Sequence, residues 1–353
     1  MRPLKEFWRE KKVLVTGNSG FKGSWLALWL NELGAEIHGV SLPPDQRPNL
    51  YSLAKVGKIA KTHFVDIREE AHVRKVVRKI KPQIIFHLAA QPIVRVGYTE
   101  AKETWDTNLN GTIHLLEAAR KLPSLKVIVV VTTDKVYRNS EKGASFVETD
   151  PLGGKDPYSA SKAAADLATA SYYQVLFQKM GVGVATARAG NVIGGGDWAK
   201  DRIVPDAIRS WQKGKALIVR NPASIRPWQH VLDSLGGYLI LAEKLWENPN
   251  LSGAYNFGPN SSDRKTVRQL IQHTKGFSKG RVVWGSSRIG PAEAGVLALN
   301  NSKAKKQLGF YPVWEFQKAV GRTFDWYADQ SKGGDAQRLC LKDIQDYEKQ
   351  AAR

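Results

Sequence analysis

"KKVLVTGNSGFKGSWLALWLNELG", residues 11–34, joins an apolar run to a second apolar stretch through three glycines, Gly17, Gly20 and Gly23. The first run reads as a strand and the second as a helix that Gly34 closes. Glycines at such a junction allow a tight turn, let the backbone approach a pyrophosphate and bring the helix against the strand. The free N–H groups and positive dipole end of the helix then face the anion. This stretch predicts a dinucleotide site built on Gly17, Gly20 and Gly23, with Phe21 beside them.

Further strands follow in "AEIHGVSL", "THFVDI", "PQIIFHLAA" and "LKVIVVVTT", and helical patterns such as "EEAHVRKVVRKI" separate most of them. Near-continuous apolar strands alternating with helices predict an α/β fold, a Rossmann-type doubly wound parallel sheet covered on both faces. The rhythm breaks after "VGVATARAGNVIG", so residues 190–227 and 259–353 are expected to form a smaller α/β substrate domain. Residues 1–189 form the dinucleotide-binding domain, and 228–258 return to it through a long amphipathic helix in "VLDSLGGYLILAEKLW".

Two positions leave cofactor choice open between NAD and NADP. The second strand lacks an obvious acid for the adenosine 2′-hydroxyl: "GVSLPPDQRP" offers Ser41, with Asp45 and Arg47 several residues late. Asp66, ending the third strand, either accepts from the adenine amino group or caps the next helix. Ile67 and Ala89 complete the expected cofactor contacts.

Lysine and arginine number 53 against 33 acidic residues, a net charge of +20. That field favours anionic partners, but the densest basic stretch, residues 74–81, has no interleaved aromatic side chains to stack bases. A small anionic ligand is expected, with no nucleic acid and no membrane partner. A single cysteine, Cys340, excludes an intrachain disulfide framework, and no metal site is expected. No signal-peptide pattern and no run of membrane-spanning length is evident, so a cytoplasmic setting is expected.

"DPYSASK" places Tyr158 and Lys162 four residues apart behind Asp156 as cap and Pro157 at the first helical position. The two then share one helix face. A neighbouring ammonium and a cationic nicotinamide would favour the tyrosinate, which can take a proton from a sugar hydroxyl.

These motifs, with "HLAAQPIVR", "TTDKVY", "GNVIGGGDW", "RPWQHV" and "YNFGP", resemble the extended short-chain dehydrogenase/reductase family, and within it the 4,6-dehydratases of nucleotide sugars. The similarity spans roughly residues 13 to 260 and continues more weakly to about 330. It implies NAD-mediated oxidation at C4, loss of water across C5 and C6, and hydride return to C6, with CDP-glucose as substrate. It also implies that Thr133 assists Tyr158 at the 4-hydroxyl and that Asp134 protonates the leaving 6-hydroxyl. Lys135 stands where related enzymes carry a glutamate, and acts either as the C5 base or as an electrostatic stabiliser. Asn191, Arg202 and Arg226 are expected on the substrate phosphates, because guanidinium suits bidentate contact with them. Trp198 either shapes the base pocket or belongs to the core. Ala292 replaces a histidine usual in the family, beside a retained Glu293. The resemblance further implies a homodimer or homotetramer associating through helices of the first domain.

Overall fold

The computed structural model describes residues 3, 5–139, 145–274, 280–285 and 297–352, so Ala292 and Glu293 lie outside the described residues. Seven strands form one parallel sheet: β1 (Lys12–Thr16), β2 (Glu36–Ser41), β3 (Lys61–Phe64), β4 (Ile84–His87), β5 (Val127–Val131), β6 (Gly183–Ala189) and β7 (Gly253–Phe257). Their order is β7-β6-β5-β4-β1-β2-β3. The strand order therefore reverses between β1 and β4, and a crevice for a ligand opens at their carboxyl ends. β5 is buried along its whole length, as strands covered on both faces must be.

Eight helices concern the site and its support. They are α1 (Phe21–Glu32), α2 (Glu70–Ile80), α3 (Gly111–Ala119), α4 (Pro157–Tyr172), α5 (Ile203–Gln212), α6 (Val231–Glu247), α7 (Phe316–Ser331) and α8 (Ala336–Ala351). On one face of the sheet α2 and α3 pack Val73, Val77 and Leu115 against Leu14, Ile85 and Ile128. On the other, α1 and α6 bury Trp25, Trp29, Leu235 and Leu239.

The sequence predicts an amphipathic helix over 231–247, but α6 is buried nearly all round, from Val231 through Glu243. The sheet covers one side of it, α1 and the C-terminal segments the other. Even Glu243 is buried, accepting from the Trp8 indole at 2.6 Å. The C-terminal helix, which the sequence reading groups with the substrate domain, lies against α1: Trp29 Nε1 donates to Glu348 at 2.8 Å and its ring meets Tyr347 edge-on. β7 joins the large sheet beside β6. The substrate-side segments form only short pairs, such as Ile225–Pro227 with Arg264–Thr266.

Candidate active site

The glycine loop is packed too closely for any side chain. A Cβ on Gly17, whose φ is +74°, would lie 2.8 Å from the Ala89 nitrogen, and one on Gly23 would lie 2.1 Å from the Gly17 carbonyl oxygen. β1 and β4 thus meet at the switch point through bare backbone. Gly20 caps α1 without a side-chain hydrogen bond, so the first-turn N–H groups are not capped by the N-cap residue and suit an anion. A dinucleotide fits this donor set. The Phe21 ring edge lies against Gly194.

At the end of β2 stands a neutral pair: the Ser41 and Ser19 hydroxyls lie 2.5 Å apart, and Ser19 donates to the Leu42 carbonyl. Asp45 and Arg47 are exposed. Asp66 does not cap the next helix as one of its two expected roles had it, since α2 is capped at Glu69. Its carboxylate instead accepts the Arg68 backbone N–H and guanidinium, and those bonds hold it below the usual carboxylate range. Ile67 is buried against Gly111, where a Cβ would clash at 2.7 Å.

The reacting groups converge where β5 ends. Asp156 caps α4 by accepting the Ser159 N–H at 2.9 Å, and Pro157 fills the first turn, as the sequence predicts. Lys162 then points at the strand end and donates to the Val131 carbonyl at 2.7 Å. Burial lowers its pKa to about 8 although Asp166 opposes the shift. Within the protein alone, burial raises the Tyr158 hydroxyl to about 12, outweighing Thr133 and the Arg202 charge, which favour the phenolate. Asp134 adds to the rise. Desolvation wins because the phenol is nearly fully enclosed.

Thr133 sits between the two halves of the chemistry. Its hydroxyl donates to Asp134 Oδ1 at 3.0 Å and lies near enough to Tyr158 to favour the phenolate. Asp134 is fully buried, and its Oδ2 has no partner. Gly190 makes the room, for a Cβ there would lie 1.9 Å from that oxygen. Lys135 lies 3.8 Å from Asp134 Oδ1 with its side chain 23% exposed. One tyrosine, one threonine, one acid and two lysines therefore share a cleft.

On the substrate side Arg202 donates to Asp197 at 2.9 Å, and that carboxylate keeps the guanidinium charged against the cost of burial. Asn191 holds a positive φ of 47°, with its Oδ1 buried and unpartnered. Arg226 is buried and donates to its neighbour's carbonyl at Ile225. Trp198 is buried edge-on against Tyr327, a packing position.

Sequence reading misses several contributors. Asp166 and Arg188 form a buried pair that ties α4 to β6. Gly190 clears Asp134, and Lys22 enters the cleft from α1, with Arg202, Lys162, Asp134 and Asp197 in its field. Only Lys22 had a local signal, as a cation inside an otherwise apolar helix pattern. Among the described residues no cluster of ligating side chains suits a metal, and no helix is long and apolar enough to cross a membrane.

The chain matches the GDP-mannose 4,6 dehydratase family over residues 14–323. It is 42% identical to the CDP-glucose 4,6-dehydratase of Salmonella typhimurium over 97% of this chain and 98% of that one. The dTDP-glucose 4,6-dehydratase of Neisseria gonorrhoeae is 28% identical, over 91% and 96%. Among solved structures, the UDP-glucose 4-epimerase of Thermus thermophilus in complex with NAD superposes with a TM-score of 0.76 at 25% identity, covering 90% of this chain and 98% of that one. The dTDP-glucose 4,6-dehydratase of Bacillus anthracis, in complex with NAD, gives 0.77 at 24% identity, covering 91% and 98%.

Proposed function

Because the chain belongs to the GDP-mannose 4,6 dehydratase family, we propose that it is an NAD-dependent hydro-lyase that converts CDP-glucose to CDP-4-keto-6-deoxyglucose. The observation that carries this reading is Thr133, beside Tyr158, donating to the buried carboxylate of Asp134. It couples the group needed for oxidation at C4 to the acid needed for elimination at C6. A 4-epimerase requires the first and has no use for the second.

NAD, when bound, supplies reversible hydride transfer, out from C4 and back to C6, so the cycle is redox-neutral. The residues that would hold it are Gly17, Gly20, Phe21, Gly23, Asp66, Ile67 and Ala89, with Tyr158 and Lys162. Tyr158 takes the proton of the 4-hydroxyl. Thr133 orients that hydroxyl and passes charge stabilisation from one side to the other. Lys162, anchored on the Val131 carbonyl, supplies a cation one helical turn from Tyr158. The resulting 4-ketone acidifies the C5 hydrogen. Asp134 protonates the 6-hydroxyl as it leaves; its buried Oδ2 has no hydrogen-bond partner among the described residues. Lys135 stands on the same side to receive the C5 proton. Asn191, Arg202 and Arg226 take the sugar nucleotide's phosphates.

Exposed Trp105, Leu167 and Val175 on and beside α4 supply an apolar face for a homodimer or homotetramer. The residues up to 189, with 228–258, act as the dinucleotide-binding unit, and 190–227 with 259–353 as the nucleotide-sugar unit.

CDP-glucose deuterated at C4 tests the whole reading. Mass spectrometry and NMR should find loss of water with the deuterium recovered at C6. A product that keeps its 6-hydroxyl with C4 inverted would replace this reading by epimerisation.

A further inference from the structure

α1 is the most enclosed helix at the glycine loop: Trp25 to Leu30 are each at most 1% exposed. Lys22, in its first turn, interrupts that apolar surface. The ammonium donates to the Tyr238 hydroxyl of α6 at 3.5 Å, the outer limit of a hydrogen bond, and lies 5.8 Å from the ring. Among the described residues it forms no ion pair, so two of its three donors are unused. The two carboxylates in its field are already engaged, Asp197 by Arg202 and Asp134 by Thr133 and Lys135. A partly buried cation beside two others, with spare donors and no counter-ion, is costly unless a ligand supplies the negative charge.

We propose that Lys22 is a ligand-binding residue, its ammonium taking a phosphate oxygen in the cleft between the glycine loop and the Arg202 loop. The phosphate belongs to the dinucleotide or to the nucleotide sugar, so the proposal rests on the functional reading above. It explains why a lysine stands in "FKGSW", where helix packing alone asks for an apolar side chain.

The groups facing Lys22 set a second property. Burial, then Arg202 from the loop and Lys162 from α4, lower it to about 7, against Asp134 and Asp197, which raise it. Tyr238 faces it from α6 as a neutral hydroxyl. A bound phosphate reverses the balance, so Lys22 takes up a proton as the ligand arrives.

Calorimetry on nucleotide-free protein at pH 7.5 tests this, in two buffers of different ionisation enthalpy. NAD and CDP are titrated separately; CDP carries the pyrophosphate without a reactive sugar. Wild type should take up protons with one of them. Lys22→Met should bind that ligand roughly tenfold more weakly, the loss of one charge-assisted hydrogen bond, and show no uptake. Lys22→Arg, always charged, should keep most of the affinity and also lose the uptake, which distinguishes a ligand contact from a packing role. Loss confined to NAD assigns the cofactor phosphate, and loss confined to CDP assigns the substrate phosphate. Wild-type affinity and proton count for both ligands in Lys22→Met would overturn the proposal. Wild-type protein that binds neither ligand would overturn the functional reading itself.

Discussion

Asp134 and Asp166 are two buried aspartates at the carboxyl end of the same sheet, 0% and 3% exposed. Asp166 has no spare capacity: it accepts Thr132, Thr186 and both arms of Arg188, at 2.7 to 3.1 Å. Asp134 has one bond from Thr133, a lysine at 3.8 Å and a buried oxygen with no hydrogen-bond partner among the described residues. Asp166 is saturated, and each unmet lone pair there would cost stability. Asp134, the acid proposed for the elimination, lacks that saturation.

The contrast can be broken by substitution. Asp134→Asn should lower turnover by about 10² to 10⁴ while reduced cofactor accumulates, and the absorbance of the trapped enzyme reports it; normal product formation would end the assignment. Tyr158→Phe should lose turnover on a similar scale without accumulating reduced cofactor, and retained activity would remove its role. Asp166→Ala should act on stability instead. Leaving Arg188 buried without its partner costs about 3 to 5 kcal/mol, read as a fall in the denaturant midpoint. Lys135→Ala should slow exchange of the C5 hydrogen with solvent, and unchanged exchange would remove it as the base.

A third aspartate sharpens the comparison with the smallest effect. Asp233 accepts Val313 N–H, Trp314 N–H and the Tyr347 hydroxyl on one oxygen, and its other oxygen is unpartnered. Burial raises it to about 7 despite those bonds. The folded state therefore holds a proton that the unfolded chain releases near pH 4. The contribution is complete below pH 4 and fades as pH rises towards 7. Asp233→Asn should remove that slope, seen by comparing denaturant midpoints of the two proteins between pH 4 and 7. An identical pH slope would show that Asp233 is already ionised.

The strands, the glycine loop and the capped α4 were legible because each rests on neighbours within a few residues. So was the juxtaposition of Tyr158 and Lys162 on one helix. Asp166–Arg188 was not, since a tie between a helix and a strand 22 residues later leaves no local pattern. Gly190 reads as one more glycine until Asp134 stands over it. The burial of α6 was hidden because its polar residues, Asp233 and Glu243, find partners more than seventy residues away. The upward shift of Tyr158 has the same origin, for enclosure belongs to the assembled cleft.

The seat of α8 on α1 bears on synthesis. Trp29 emerges from the ribosome early, yet its partners Tyr347 and Glu348 come over three hundred residues later. At 5 to 20 residues per second the gap is roughly 15 to 60 seconds. Throughout it the helix that follows the glycine loop has an uncovered tryptophan face, and the nascent chain depends on chaperones or on provisional contacts to keep that face from its neighbours on the polysome.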